Sequence, residues 1–238
     1  ATRDFLPTYL DHTAIVFKRP AARAWSPGDF SPVRARFANP ADLVVCLAQA
    51  AGKMTALRLY DAARDALEEA ARLDEKSPEV WSSYANFHML RGEMKPALEH
   101  AERALSLDPE FLPALGTKAQ ILYATKQFDE AWELSKGIIE RAPDDPNLLF
   151  YHARIAHEAR AYTSEIKALE KLIALAEAAN MTESGYRIYL AQAHAKIGEG
   201  EPALKQLNMA LLDRELPDEQ RKFAEEMAEE IERQAGLY

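Results

Sequence analysis

The feature that most constrains this chain is a set of small residues returning at a fixed interval. Ala63, Ala97 and Ala131 lie 34 residues apart, and Ala203 follows 72 further on, one interval of 34 and one of 38. Ala51, Ala85, Ala119 and Ala153 keep the interval of 34, and Ala191 follows after 38. A third row runs through Ala70, Ala104, Ile138, Leu172 and Ala210. Three rows in register define five units, at about 44–77, 78–111, 112–145, 146–183 and 184–217, the fourth with four extra residues around Ala178–Met181. Self-similarity at this period marks an array of supersecondary units, none of which can hide its apolar face alone.

Each unit reads as two amphipathic helices joined by a short turn. In the second unit Ser77 stands as an N-cap, with Pro78 at the first helical position. Gly92 suits the left-handed residue that ends a helix, and Pro96 falls in the first turn of the next, where its missing N–H does no harm. Pro202 repeats that placement near Gly198. Asp108-Pro109 and Asp145-Pro146 mark corners between units. Thr182, in the glycosylation-like stretch Asn180-Met181-Thr182, is expected to cap a helix.

The order of residues within units resembles the tetratricopeptide repeat family. The second unit carries Trp81, Tyr84, Ala85, His88, Ala97, Ala101, Ala104 and Pro109. The third carries Leu115, Lys118, Ala119, Leu122, Ala131, Ser135, Ile138 and Pro143, and the fifth Leu190, Ala191, His194, Ala203, Leu207 and Ala210. The first unit departs at Ala50 and Gly52, and the fourth departs most, with Glu165 where the others have a small residue between their helices. The resemblance covers about residues 44–217 and implies an all-α fold, a right-handed α-α superhelix of about five helical hairpins whose first helices line a concave side.

The flanks differ from the repeats. Residues 1–40 hold Pro7, Pro20, Pro27, Pro32 and Pro40 among Phe5, Tyr9, Phe17, Trp25, Phe30 and Phe37. Proline at that spacing disfavours long helices, and so much aromatic surface favours docking. A non-helical arm is therefore expected, packed on the first unit of its own chain or on a neighbour's. Residues 218–238 are expected to form a C-terminal capping helix, with Phe223, Met227 and Ile231 inward and Gly236 as its stop.

Composition enters by exclusion. A net charge of −9 argues against nucleic-acid binding. No apolar run reaches the roughly 18 residues that span a bilayer, so no direct membrane insertion is expected. The single Cys46 allows no internal disulfide. No phosphate loop, paired-His zinc motif or hydrolase elbow is present, and the histidines are scattered, so neither a cofactor nor a metal nor catalysis is expected. The compartment stays open between the cytoplasm, which is favoured, and the bacterial periplasm after signal-peptide removal.

The resemblance also implies which places face the groove: the fifth, ninth and twelfth of each unit. The fifth gives Ser82, Gly116, Phe150 and Ile188. The ninth gives Gly52, Asn86, Gln120, Arg154 and Gln192, and the twelfth Thr55, Met89, Tyr123, His157 and Ala195. From these, Asn86, Met89, Gln120, Tyr123, Arg154, His157 and Gln192 form the candidate peptide-binding set. Amides pair with both N–H and C=O of an extended peptide, and Arg pairs with carboxylates through two parallel bonds. The function expected is a non-enzymatic scaffold that holds a peptide segment or helix of another protein. The alternatives are an assembly component of a multiprotein, membrane-associated complex, with homo-oligomers among its forms, or an accessory region of a larger enzyme.

Overall fold

A computed structural model describes residues 6–10, 15–18, 30, 34 and 37–234. The chain divides into two compact units, residues 1–121 and 122–238. In the first, strands β1 (Leu6–Leu10) and β2 (Ile15–Lys18) pair antiparallel, with an irregularity between Pro7 and Tyr9. Helices α1 (Pro40–Ala56), α2 (Tyr60–Leu73), α3 (Pro78–Leu90) and α4 (Met94–Leu107) follow. Helix α5 (Leu112–Ala124) crosses the division. The second unit continues with α6 (Phe128–Arg141), α7 (Pro146–Glu158), α8 (Tyr162–Ala178), α9 (Ser184–Lys196), α10 (Gly200–Leu211) and α11 (Asp218–Gln234). The fold is all-α in its body, built of helical hairpins.

The small-residue rows are the contact surfaces. Ala63, Ala97, Ala131 and Ala203 are fully buried, as are Ala70, Ala104 and Ala210. Small side chains let helix axes approach closely, which is why the period is so legible. In the first unit α1 packs on both α2 and α3. In the second, α7 packs on α6 and α8, and α9 on α8 and α10.

The turn inside each hairpin repeats with the same interval as the alanines. Arg58, Gly92, Lys126, Arg160 and Gly198 all take positive φ, between 58° and 82°. The N–H of the next residue then reaches back in every unit: Leu59 to Met54, Glu93 to His88, Gln127 to Leu122, Ala161 to Ala156 and Glu199 to His194, at 2.8–2.9 Å. These bonds satisfy carbonyls that the helix end leaves without partners. Glycine meets the conformation without strain in two units, whereas Arg58, Lys126 and Arg160 adopt it at a steric cost.

The four extra residues of the fourth unit lengthen α8, which has 17 residues against 14 in α2, α4 and α6. Arg187 on α9 is buried beside this extension. It donates to Glu177 at 2.5 Å, to Glu183 at 3.2 Å and to Gln206 at 3.0 Å, so its charge is paired and its donors are used.

Several local expectations need revision. Ser77 occupies the N-cap position, but its hydroxyl donates to the Glu79 carboxylate at 2.7 Å and accepts no helix N–H. Thr182 caps nothing, because α9 starts from Glu183 without a side-chain cap. Asn180 instead ends α8 with a φ of 52°. In α11 the inward row is Ala224 and Ile231 with Met227 at its edge, while Phe223 is 43% exposed. Arg221 fastens that helix by donating to the carbonyls of Leu211 and Asp213, at 3.1 and 2.6 Å.

The arm is not wholly irregular: besides its strands, it has a helical turn at Arg34, whose N–H donates to the Phe30 carbonyl at 2.9 Å. Phe30 is 4% exposed and joins the cluster of Leu43, Leu47 and Leu67. Arg34 Nε donates to buried Glu69 at 2.6 Å. Its C-terminal part therefore packs on the first hairpin. Phe5, Trp25 and Gly236 lie outside the described residues.

Candidate functional site

The candidate residues fall in both units. In the first, Asn86 is half-buried on α3, and a Cβ on Gly52 would come within 4.0 Å of its Nδ2. Gln120 is half-buried on α5. Met89 packs with Ala85, Ala97, Ala101 and Ile121, so its main work is filling the hairpin interior. Ser82, Gly116 and Thr55 are buried, which removes them from the accessible face.

In the second unit, Tyr123, Arg154, His157 and Gln192 line one cavity of about 180 Å³. They come from the end of α5, from α7 and from α9. Residues three and four apart on a helix share a face, so Arg154 and His157 of α7 reach the same space. Phe150, one turn before Arg154, and Tyr189, one turn before Gln192, complete the walls, with Glu158, Glu165 and Leu169. Tyr189 and Gln192 also border a second cavity of about 250 Å³, which ends at Ile188 and Phe223. Tyr189 is 44% exposed, so two exposed aromatic residues mark this face.

Arg154 is held by aromatic groups. Its Nη2 donates to the Tyr123 hydroxyl at 3.2 Å, and its guanidinium lies 4.8 Å from the Tyr123 ring and 5.7 Å from the Phe150 ring. Among the described residues no carboxylate forms an ion pair with it. Stacking immobilises the planar group while leaving donors for a further partner.

His152 and His157, five apart on α7, do different things. His152 is buried, stacks 5.2 Å from Trp132 and bonds to Ser135 Oγ at 3.1 Å. Ser135 Oγ donates to the Trp132 carbonyl, so the imidazole N–H is the donor toward it. Burial pulls the His152 pKa down to about 4. His157, 35% exposed, borders the cavity, and its Nδ1 lies 3.1 Å from both carboxylate oxygens of Glu165. Burial raises the Glu165 pKa, against the lowering effect of His157. Elsewhere His88 pairs with Glu93, and His194 with Glu199, each at 2.6 Å.

Tyr189, Phe223, Glu158, Glu165 and Leu169 are cavity residues outside the candidate set. Glu165 was visible as a departure from the small-residue row. Leu169 and Phe223 carry apolar patterning that serves packing and cavity walls alike. Among the described residues no group of three or more His, Cys, Asp or Glu could hold a metal ion, and no helix is long and apolar enough to cross a membrane.

A family model described as tetratricopeptide repeat matches residues 92–149. An 81-residue stretch is 31% identical to Hsp70-Hsp90 organizing protein 2 of Arabidopsis thaliana, covering 34% of this chain and 14% of that protein. Among solved structures, MamA from Desulfovibrio magneticus RS-1 (residues 41 to its end) has a TM-score of 0.58 at 18% identity, covering 71% of this chain and 94% of that one. PilW, a type IV pilus biogenesis factor, has a TM-score of 0.64 at 16% identity, covering 81% of this chain and 86% of that one. At such identities the likeness is one of fold. That fold is an architecture of protein–protein interaction. Residues 92–149 thus match a tetratricopeptide repeat, and the 34-residue period, the buried alanine rows and the repeated left-handed turn carry the same fold along the chain.

Proposed function

We propose that this protein is a binding scaffold whose second unit holds an extended peptide segment of a partner along Tyr123, Phe150, Arg154, His157, Tyr189 and Gln192. The observation carrying this reading is that four residues chosen from repeat position alone line one cavity. The cavity combines three aromatic side chains, an amide and an arginine that has no carboxylate partner among the described residues. Gln192 would pair with the peptide backbone, the aromatic rings would take apolar side chains, and Arg154 would meet an acceptor. The reading extends to Asn86 and Gln120 of the first unit as separate peptide contacts, with Met89 kept for packing. Catalysis has no part in it.

The test is a bead library of random hexapeptides applied to the folded chain. Wild-type protein is expected to stay on a defined subset of beads. Arg154→Ala combined with Gln192→Ala should reduce retention on those beads about tenfold or more, the scale of one to two charge-assisted hydrogen bonds. Its helical circular-dichroism signal should not change. Equal retention of the double variant would overturn the proposal.

A further inference from the structure

The last hairpin and the helix that caps it leave a cleft unfilled. Helix α11 leans on the fifth hairpin through Ala224 and Ile231, which join Ile188, Leu207 and Ala210 in one cluster. Beside that contact α9 and α11 part around the cavity of about 250 Å³, whose lining includes Gly185, Ile188, Tyr189, Glu219 and Phe223. Ile188 is buried, whereas Tyr189 and Phe223 stay exposed. Gly185 keeps the space open. It lies in the first turn of α9, where glycine is a poor helix former, and a Cβ built there would meet nothing within 4 Å. Packing therefore does not call for glycine at this place. The volume is below the roughly 300–1,000 Å³ of sites for drug-sized ligands, so the cleft suits one large side chain.

The rim of the cleft is acidic. Helix α11 opens with Asp218 and Glu219, and Glu219, Phe223 and Glu226 follow one another on one face. Glu219 has no ion pair among the described residues. Glu226 pairs loosely with Lys222, at 3.7 Å, and Arg221 is spent on the carbonyls of Leu211 and Asp213. Exposed aromatic rings beneath unpaired carboxylate fit an aromatic side chain flanked by basic groups.

The chain itself holds such a segment. Between Asp11 and Asp29 it has no acidic residue, and Lys18, Arg19 and Arg23 precede Trp25. Before the segment, β1 touches α1 and its partner β2 ends at Lys18. After it, Phe30 is buried on the first hairpin. Residues 19–29 are thus tethered at both ends to the first hairpin of their own copy.

We propose that the cleft between α9 and α11 receives Trp25 of a second copy of this chain, with Arg23 of that copy meeting Glu219. The two surfaces differ, so the contact is heterologous: each copy offers one segment and one cleft, and copies join in a line or a ring. The proposal stands apart from the peptide-binding reading, since it needs neither Arg154 nor His157.

Sedimentation velocity of the full chain between about 1 and about 300 µM tests this. The mass is expected to rise with concentration and to pass beyond the dimer. Trp25→Ala removes the occupant. Gly185→Leu fills the cleft from within while improving the helix. Each should weaken association about thirtyfold or more, the loss expected for a buried aromatic anchor. Phe223→Ala, at an exposed place outside the core, is a second cleft variant and should act in the same direction. All three should keep the helical circular-dichroism signal of the wild type.

The decisive sample is an equimolar mixture of Trp25→Ala and Gly185→Leu. The first has an intact cleft and the second an intact segment, so the mixture should form one-to-one pairs at wild-type strength and nothing longer. Wild type that stays monomeric over the whole range would overturn the proposal. So would single variants that assemble as strongly as wild type, or a mixture that stays monomeric or grows beyond pairs.

Discussion

The second and fourth hairpins share a plan and differ at the places that matter. The second keeps Ala97 between its helices, faces it with Met89 and turns through Gly92. The fourth has Glu165 faced by His157, turns through Arg160 and runs one turn longer. The second is what stacking alone requires. The fourth carries polar groups that stacking does not need, and they border a cavity. Departures from a packing pattern thus point to a site more sharply than the pattern does.

The largest effect should come from moving the fourth hairpin's glutamate into the second. Ala97→Glu would bury a charge among Ala85, Ala101 and Ile121 without a partner. Denaturant unfolding should show a loss of about 3–5 kcal/mol. Adding Met89→His should recover part of it, and no recovery would mean that the two places do not face each other as His157 and Glu165 do.

The two histidines of α7 sharpen the comparison through pH. The unfolded chain takes up a proton on His152 near 6.5, while the native ring resists until about 4. Stability should therefore fall as pH drops through that window, by about 2 kcal/mol from pH 7 to pH 5. His152→Phe, which keeps the stack on Trp132, should remove that dependence in thermal unfolding measured at both pH values. A slope left intact would place the acid sensitivity elsewhere.

A smaller effect lies in the turns. Arg160→Gly should relieve the left-handed backbone and raise stability by up to about 1 kcal/mol. Gly92→Ala should lower it by about the same amount, since nothing crowds its Cβ and only φ opposes it. Opposite signs in the two hairpins are the expected result by denaturant midpoint. The smallest effect concerns Glu165, whose pKa burial raises. A carboxyl with a raised native pKa loses stability as pH climbs past the ordinary carboxylate range toward that raised value. Glu165→Gln should therefore gain on wild type toward neutral pH and lose the advantage in acid, as read from melting temperatures at several pH values.

What the sequence made legible follows from the same physics. The alanine rows were readable because a close helix contact admits only small side chains, so position and residue type are tightly linked. Tyr123, Arg154, His157 and Gln192 were readable from their places in the repeat. Tyr189 was not, because the exposed position beside Ile188 tolerates many residues. Phe223 was misassigned because an apolar residue every four positions drifts around a helix of 3.6 per turn, and the inward row is set by Ala224 and Ile231. The His157–Glu165 pair required coordinates, because residues eight apart on two helices meet only once the hairpin closes.

The central claim is that the cavity of the second unit holds the partner peptide. Hydrogen–deuterium exchange with a hexapeptide recovered from the bead library tests it most directly. The account predicts slowed exchange in residues 146–158 and 184–196, lost in the Arg154→Ala and Gln192→Ala double variant. Slowed exchange confined to residues 60–107 or 202–212 would contradict it.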